Sequence, residues 1–359
     1  MKIVIIGAGV AGLAIGWRLA QAGEDVTVLE RGQPGSGATW ASAGMLAVAA
    51  ELLDSTPAEI DFARYSNGLW PDFAKEIEAA SGRRIGYEIR GALILAEDTA
   101  GLSRLERQAA AQPGLELVDV ARVREIEPLV EGENAGGLWA PDQAIVDNRA
   151  LGLALATALQ RAGGRLSTNE AVVKIERREE RAAVAHTPFK TYHADLFVLA
   201  AGAWSSQLEP EIAPIVPVKG QMILLAPPAG EAPPETVIWG EGIYAVPRGR
   251  ALAIGATMEE AGFDTSLSDG ARDHLRRAAE RLMPALCRWT VADQWAGLRP
   301  RAPDGLPLLG PTAVEGLWLA SGQFRNGILF APAMAESLAN QILKRAPGIP
   351  GVDPRRFAK

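Results

Sequence analysis

Apolar and polar positions change their period several times along the chain, and each change predicts an element. KIVII at 2–6 is short, β-branched and almost wholly apolar, as in a parallel strand buried on both faces. Ala and Leu then recur at helical spacing over 10–22, and DVTVL at 25–29 predicts a second strand, giving an opening βαβ unit. From Arg31 to Leu46 the composition shifts to Gly, Ser, Ala and Thr, too small-residued to build a core. Helical spacing returns over 58–81, and RIGYEIRGALILAE at 84–97 predicts a strand hairpin. Charged helices are expected over 102–112 and 120–127, and a turn-rich extended segment over 141–148. A further helix over 149–162 ends at the pair Gly163 and Gly164.

Strands are expected through 165–199, and antiparallel strands punctuated by Pro and Gly through 216–259. An amphipathic helix over 269–283 stops at Pro284, and a last strand, GLWLASG, leads into a helix reaching about Lys344. The parallel opening and the closing strand–helix predict one discontinuous α/β domain, Rossmann-like, over 1–84, 142–215 and 295–345. The stretches 85–141 and 216–294 then form a second, antiparallel-sheet domain for substrate, and 346–359 a surface-hugging tail. A ligand cleft is expected between the two.

Composition narrows the classes of partner. The 359 residues exceed one small core, and a net charge of −7 without blocks of like charge disfavours a nucleic-acid partner. Cys287 is the one cysteine, which excludes an intramolecular disulfide and a cysteine metal cluster, and it reads as a buried small hydrophobe. His186, His193 and His274 have no metal-ligand spacing. The first twenty residues imitate a signal peptide, but Gly7, Gly9 and Gly12 interrupt the apolar run and Arg18 follows it. A strand–turn–helix and a cytoplasmic location without membrane insertion are therefore expected.

Gly7-Ala8-Gly9-Val10-Ala11-Gly12 follows a predicted strand and opens a predicted helix, with Glu30 ending the next strand. In that context GxGxxG reads as a dinucleotide fingerprint. Gly7 allows the tight turn, Gly9 the approach of a pyrophosphate, and Gly12 close packing of helix on strand, while Glu30 suits a free ribose hydroxyl. The motif does not separate NAD from FAD.

Further motifs follow in order: TWASAGML at 39–46, DLFVLAAGAWS at 195–205, IYAVPR at 243–248, WAGLRPRAPDGLPLLG at 295–310 and GQFRNGILFAP at 322–332. Together with GAGVAG and Glu30 they resemble, over nearly the whole chain, the D-amino-acid oxidase superfamily of FAD enzymes. The likeness is strongest to its glycine oxidase branch, associated with thiamine biosynthesis. The resemblance implies non-covalent FAD held by Gly7, Gly9, Val10, Ala11, Gly12, Glu30 and Arg31. It adds Thr39, Ala41, Ser42, Gly44 and Met45 from the small-residue loop, Val172 at the adenine, and Ala201, Gly202 and Trp204. Gly322, Gln323, Arg325, Asn326, Gly327 and Ile328 complete the set, with the last helix starting near Gly327 and turning its positive end to the flavin.

Arg299, flanked by Leu298 and Pro300, resembles an arginine that clamps a substrate carboxylate through its planar fork. Tyr244 matches a tyrosine of the same clamp, Arg325 is the next catalytic candidate, and Arg301 reads as a surface or structural ion-pair residue. The implied reaction is oxidative deamination of glycine or a small amine-bearing acid. Hydride passes to flavin N5, the imino acid hydrolyses to keto acid and ammonia, and dioxygen reoxidises the flavin to give hydrogen peroxide. The alternative is a D-amino-acid dehydrogenase passing electrons to a quinone. A tRNA-modifying flavoprotein and a noncatalytic FAD-binding subunit are more distant rivals. A homotetramer is implied by the resemblance alone. Gln323 and Gly242 stand where close relatives carry His, which bears on substrate size and electron acceptor and leaves glycine, sarcosine and small D-amino acids open.

Overall fold

The computed structural model describes residues 1–357 apart from 52–54, 113, 180 and 212. β1 (Lys2–Ile6), α1 (Val10–Gln21) and β2 (Asp25–Leu29) form the expected βαβ unit. β1 lies inside a six-stranded sheet, parallel to β2 on one side and to Leu196–Leu199 on the other. Leu317–Ser321 extends the parallel set, with Leu308–Pro311 antiparallel at that edge, and Arg165–Ser167 pairs with β2 at the opposite edge.

Because strand side chains alternate, β1 serves two cores. Ile3 and Ile5 pack with α1 and the helices Pro57–Ser81, Asn148–Arg161 and Ala331–Ile342, while Val4 and Ile6 join Ile175, Ala182 and Ala185. These last come from a three-stranded sheet, Lys174–Arg178, Arg181–His186 and Thr191–His193, so each face of the parallel sheet is covered. Local chemistry sets the helix ends. Thr56 Oγ1 accepts from the Glu59 N–H at 3.3 Å before Pro57, and Asp147 Oδ1 accepts from the N–H groups of Arg149 and Ala150 at 2.9 and 3.0 Å.

The second sheet has eight strands, beginning Thr290–Arg301, Val216–Ala226, Ala251–Gly255, Ile243–Arg248 and Val237–Gly240, then Ala92–Leu95, Gly137–Ala140 and Glu116–Val118. All neighbours in it are antiparallel except Val237–Gly240 with Ala92–Leu95. Several expectations need correcting. The hairpin over 84–97 does not form: Glu88–Ile89 pairs with Ala144–Ile145 in a small sheet, the chain turns at Gly91, and Ala92–Leu95 enters the large sheet. The domain boundary expected at 295 falls inside one strand, which runs unbroken from Thr290 to Arg301. As an edge strand it tolerates Pro300. The last helix starts at Ala331, four residues beyond Gly327, because Pro332 is accommodated only in a first turn. Cys287 is exposed rather than buried, since the turn Pro284–Arg288 directs Leu286 inward. No helix among the described residues is long and apolar enough to cross a membrane.

Candidate active site

A cavity of about 590 Å³ extends from the C-terminal ends of β1 and β2 to the face of the eight-stranded sheet, the usual ligand position for an open α/β sheet. At its first end the glycines act by close approach. A Cβ at Gly7, where φ is +107°, would fall 2.4 Å from the Ala200 carbonyl oxygen, and one at Gly12 would fall 2.0 Å from that of Gly7. The start of α1 is thereby pressed onto the strand ends, and at Gly9 a Cβ position meets only Thr39 Oγ1, at 3.6 Å. Glu30 is pre-oriented, its Oε2 accepting from the Ala8 N–H at 2.8 Å and its Oε1 from the Gly32 N–H at 2.9 Å. Arg31 lies 3.5 Å above the Trp204 ring, and burial lowers its pKa.

The small-residue loop forms the middle of the cavity wall and contains a short helix, α2 (Ala38–Ala41). Side chains behind it hold its carbonyls. Asn148 Nδ2 donates to the oxygens of Thr39 and Trp40 at 2.6 and 2.9 Å, and Trp295 Nε1 donates to that of Ala41 at 2.9 Å. Arg248 Nη2 donates to the Ser42 oxygen at 3.3 Å and to Asn148 Oδ1. Burial, and then the neighbouring Arg149, lower the pKa of Arg248. Arg149 itself lies 3.7 Å over the Trp40 ring, which meets Trp295 edge-on.

At the far end, Trp295, Gly297 and Arg299 occupy alternate positions of Thr290–Arg301, opposite Met222, Gly220 and Val218. Alternation puts all six on one face of the sheet. Arg299 Nη1 donates to the carbonyls of Thr257 and Lys219 at 3.1 and 3.4 Å. The guanidinium lies over Gly220, where a Cβ would fall 2.3–2.5 Å from its atoms. Two strands over from Gly220, Tyr244 uses the same device: a Cβ at Gly255 would fall 2.6–2.7 Å from the tyrosine ring and hydroxyl. The hydroxyl donates to Met222 Sδ at 3.8 Å. A Cβ at Gly297 would fall 2.4 Å from that of Ala41, so α2 seats against the strand that carries Arg299.

Of the catalytic and cofactor-binding residues expected from the sequence, all but three border this cavity, including Arg299, Tyr244, Arg325, Val172 and Gln323. The exceptions are Gly12, Gly322 and Asn326, which stand behind the wall. Asn326 Nδ2 donates to Glu59 Oε1 at 3.2 Å and ties its turn to Pro57–Ser81, while Gly327 and Ile328 reach the cavity. Gly242 is exposed and outside the lining. Arg301 pairs with Glu260 at 2.8 Å in an ion pair at the surface. Gly220, Met222, Gly297, Asn148 and Arg248 were not singled out beforehand, although alternation in WAGLR and VKGQM brings the first three to the Arg299 face.

The lining suits a long, flat dinucleotide: close backbone approach at Gly9, a fixed acceptor at Glu30, a wall of Ala, Ser and Gly, then a cationic end at Arg299. A model of the FAD dependent oxidoreductase family matches residues 2–341. The chain belongs to that family. FAD is its cofactor, and the fold is that of the family's α/β domain joined to an antiparallel substrate sheet. The chain is 34% identical to a glycine oxidase of Pseudomonas aeruginosa, the match covering 99% of this chain and 98% of that one. It is 35% identical to the bifunctional protein ThiO/ThiG of Trichormus variabilis over 96% of its own length, and spans about half, 53%, of that longer relative. The crystal structure of glycine oxidase from Geobacillus kaustophilus superposes with a TM-score of 0.92 at 30% identity, covering 99% of this chain and 98% of that one.

Proposed function

We propose that this flavoprotein oxidises glycine or another small amine-bearing acid, with Arg299 and Tyr244 gripping the carboxylate. The observation that carries the reading is the seating of Arg299: a guanidinium fixed by two carbonyls, over a glycine, at the wall of the FAD cavity. Such a fork is pre-oriented for two parallel hydrogen bonds to a carboxylate, and the Tyr244 hydroxyl, by turning its one proton from Met222 Sδ to the carboxylate, would be a third donor at the same end. FAD, when bound, supplies the acceptor for the electron pair leaving the substrate.

The chain's own contribution is positioning. The fork anchors the acid end, and the loop that holds α2 fixes the opposite wall, so the α-carbon is confined between them. Among the described residues, those lining the cavity include no histidine, and Glu30 and Glu170 lie at the nucleotide end. The substrate's ammonium group therefore gives one proton to water, and the amine reacts in its neutral form. The α-carbon–hydrogen bond and an amine proton are lost as an imine forms. Water converts the imine to keto acid and ammonia, and dioxygen is reduced to hydrogen peroxide in the turnover. Similarity to glycine oxidases over almost the whole chain supports this choice of substrate.

The test is to mix the purified holoprotein with glycine, sarcosine and small D-amino acids without oxygen, then admit air. Loss of visible flavin absorbance, followed by peroxide equal to the amine consumed, supports the reading. Bleaching without peroxide, reversed by a quinone, would reassign the enzyme as a dehydrogenase. No bleaching by any amine removes the assignment.

A further inference from the structure

Between the two groups of the clamp, on the same face of the sheet, stands the side chain of Met222. Met222 lies on Val216–Ala226 two residues beyond Gly220, on the same face and 3% exposed. Residues so spaced on a strand stand about 7 Å apart, so its thioether lies one residue pair along from the Arg299 guanidinium. On its other side Met222 pairs with Gly255, over which the Tyr244 ring lies, and its Sδ is 3.8 Å from the Tyr244 hydroxyl. Gly220 carries no side chain, so of the two residues this strand brings to the cavity wall Met222 is the one whose side chain bounds the space beside the clamp. A carboxylate held by Arg299 and Tyr244 together leaves its α-carbon next to that sulfur.

We infer that Met222 gauges the substituent on the substrate's α-carbon, admitting hydrogen or a small group and refusing a chain of several carbons. The inference rests on the carboxylate clamp proposed above. Truncation of Met to Ala removes Cγ, Sδ and Cε, the room taken by the three-carbon side chain of norvaline. In apolar pockets each added or missing methylene is worth roughly 10-fold or more in discrimination.

The experiment compares wild type with Met222→Leu, Met222→Val and Met222→Ala, all as FAD-loaded protein. One arm measures kcat/KM for D-norvaline relative to glycine. The other titrates unreactive acetate, propionate, butyrate and pentanoate against the visible spectrum of the bound cofactor. The expected result is a rise of at least about tenfold in the norvaline-to-glycine ratio and in pentanoate affinity relative to acetate for Met222→Ala. Met222→Val falls between, and Met222→Leu stays near wild type. If Met222→Ala does not fold, the Val variant still reports the direction. Ratios within twofold of wild type in both arms overturn the inference. A shift in the carboxylate series, with no amine reducing the wild-type flavin, would retain the gauge while removing the proposed reaction.

Discussion

Gly220→Ala isolates the geometry of the clamp from its chemistry, because it leaves Arg299 and Tyr244 unchanged. The added methyl would lie 2.3–2.5 Å from the Arg299 guanidinium atoms, whereas non-bonded carbon contacts settle near about 3.5 Å. The obstructing group is the end of a flexible side chain, so the fork retreats by about 1 Å while the strand stays in place. A retreat of that size breaks the paired geometry a carboxylate needs. Hydrogen bonds to charged groups contribute about 1.5–3 kcal/mol, which corresponds to roughly 10- to 150-fold in substrate affinity. Anaerobic reduction with glycine should therefore require 10- to 150-fold more substrate for half the maximal rate. FAD content and melting temperature should stay close to wild type. The reasoning is refuted if half-saturation stays within about twofold while the variant is folded and flavin-loaded.

Other expectations follow from the same contacts. Arg299→Lys replaces a planar fork by a point charge and should raise KM by roughly tenfold or more with FAD still bound, measured by steady-state kinetics beside a flavin-release assay. Arg248→Met leaves the Ser42 oxygen and Asn148 Oδ1 without their shared donor. At about 1–3 kcal/mol for an unsatisfied buried group, it should lower the melting temperature and speed FAD loss on dilution. Glu127 has its pKa raised by burial, against opposing backbone N–H bonds from Leu129, Glu235 and Thr236. Its folded state holds the proton more tightly than the unfolded chain, so this group's contribution to stability falls as pH rises from about 4.5 through the raised pKa. The melting temperature of Glu127→Gln minus that of wild type should accordingly increase with pH over that window.

Much of this was legible in the sequence because periodicity and punctuation agreed there. KIVII, GAGVAG and DVTVL announce strand, turn and strand without reference to the rest of the chain. The helix caps at Thr56 and Asp147 are equally local. What escaped was long-range. Whether residues 84–97 fold back on themselves depends on Ala144–Ile145 being available to pair with Glu88–Ile89, and no local pattern carries that. WAGLRPR carries Pro300, yet it is an edge strand whose partner, VKGQM, lies some eighty residues earlier. Only that pairing shows that Gly220 makes room for Arg299 and that Met222 stands beside it. The holders of the small-residue loop, Asn148, Arg248 and Trp295, come from three separate elements and have no common motif.

The seat of Ala41 in the slot left by Gly297 joins two events that could otherwise be independent. The small-residue wall of the cavity and the strand bearing Arg299 share one interlocked contact, so movement of either is felt by its neighbour. Linkage then works in both directions: occupancy by the nucleotide should tighten binding of a small carboxylate, and the carboxylate should tighten binding of the nucleotide by an equal free energy. A ligand too small to touch the ring would thus act as a preservative for the holoenzyme.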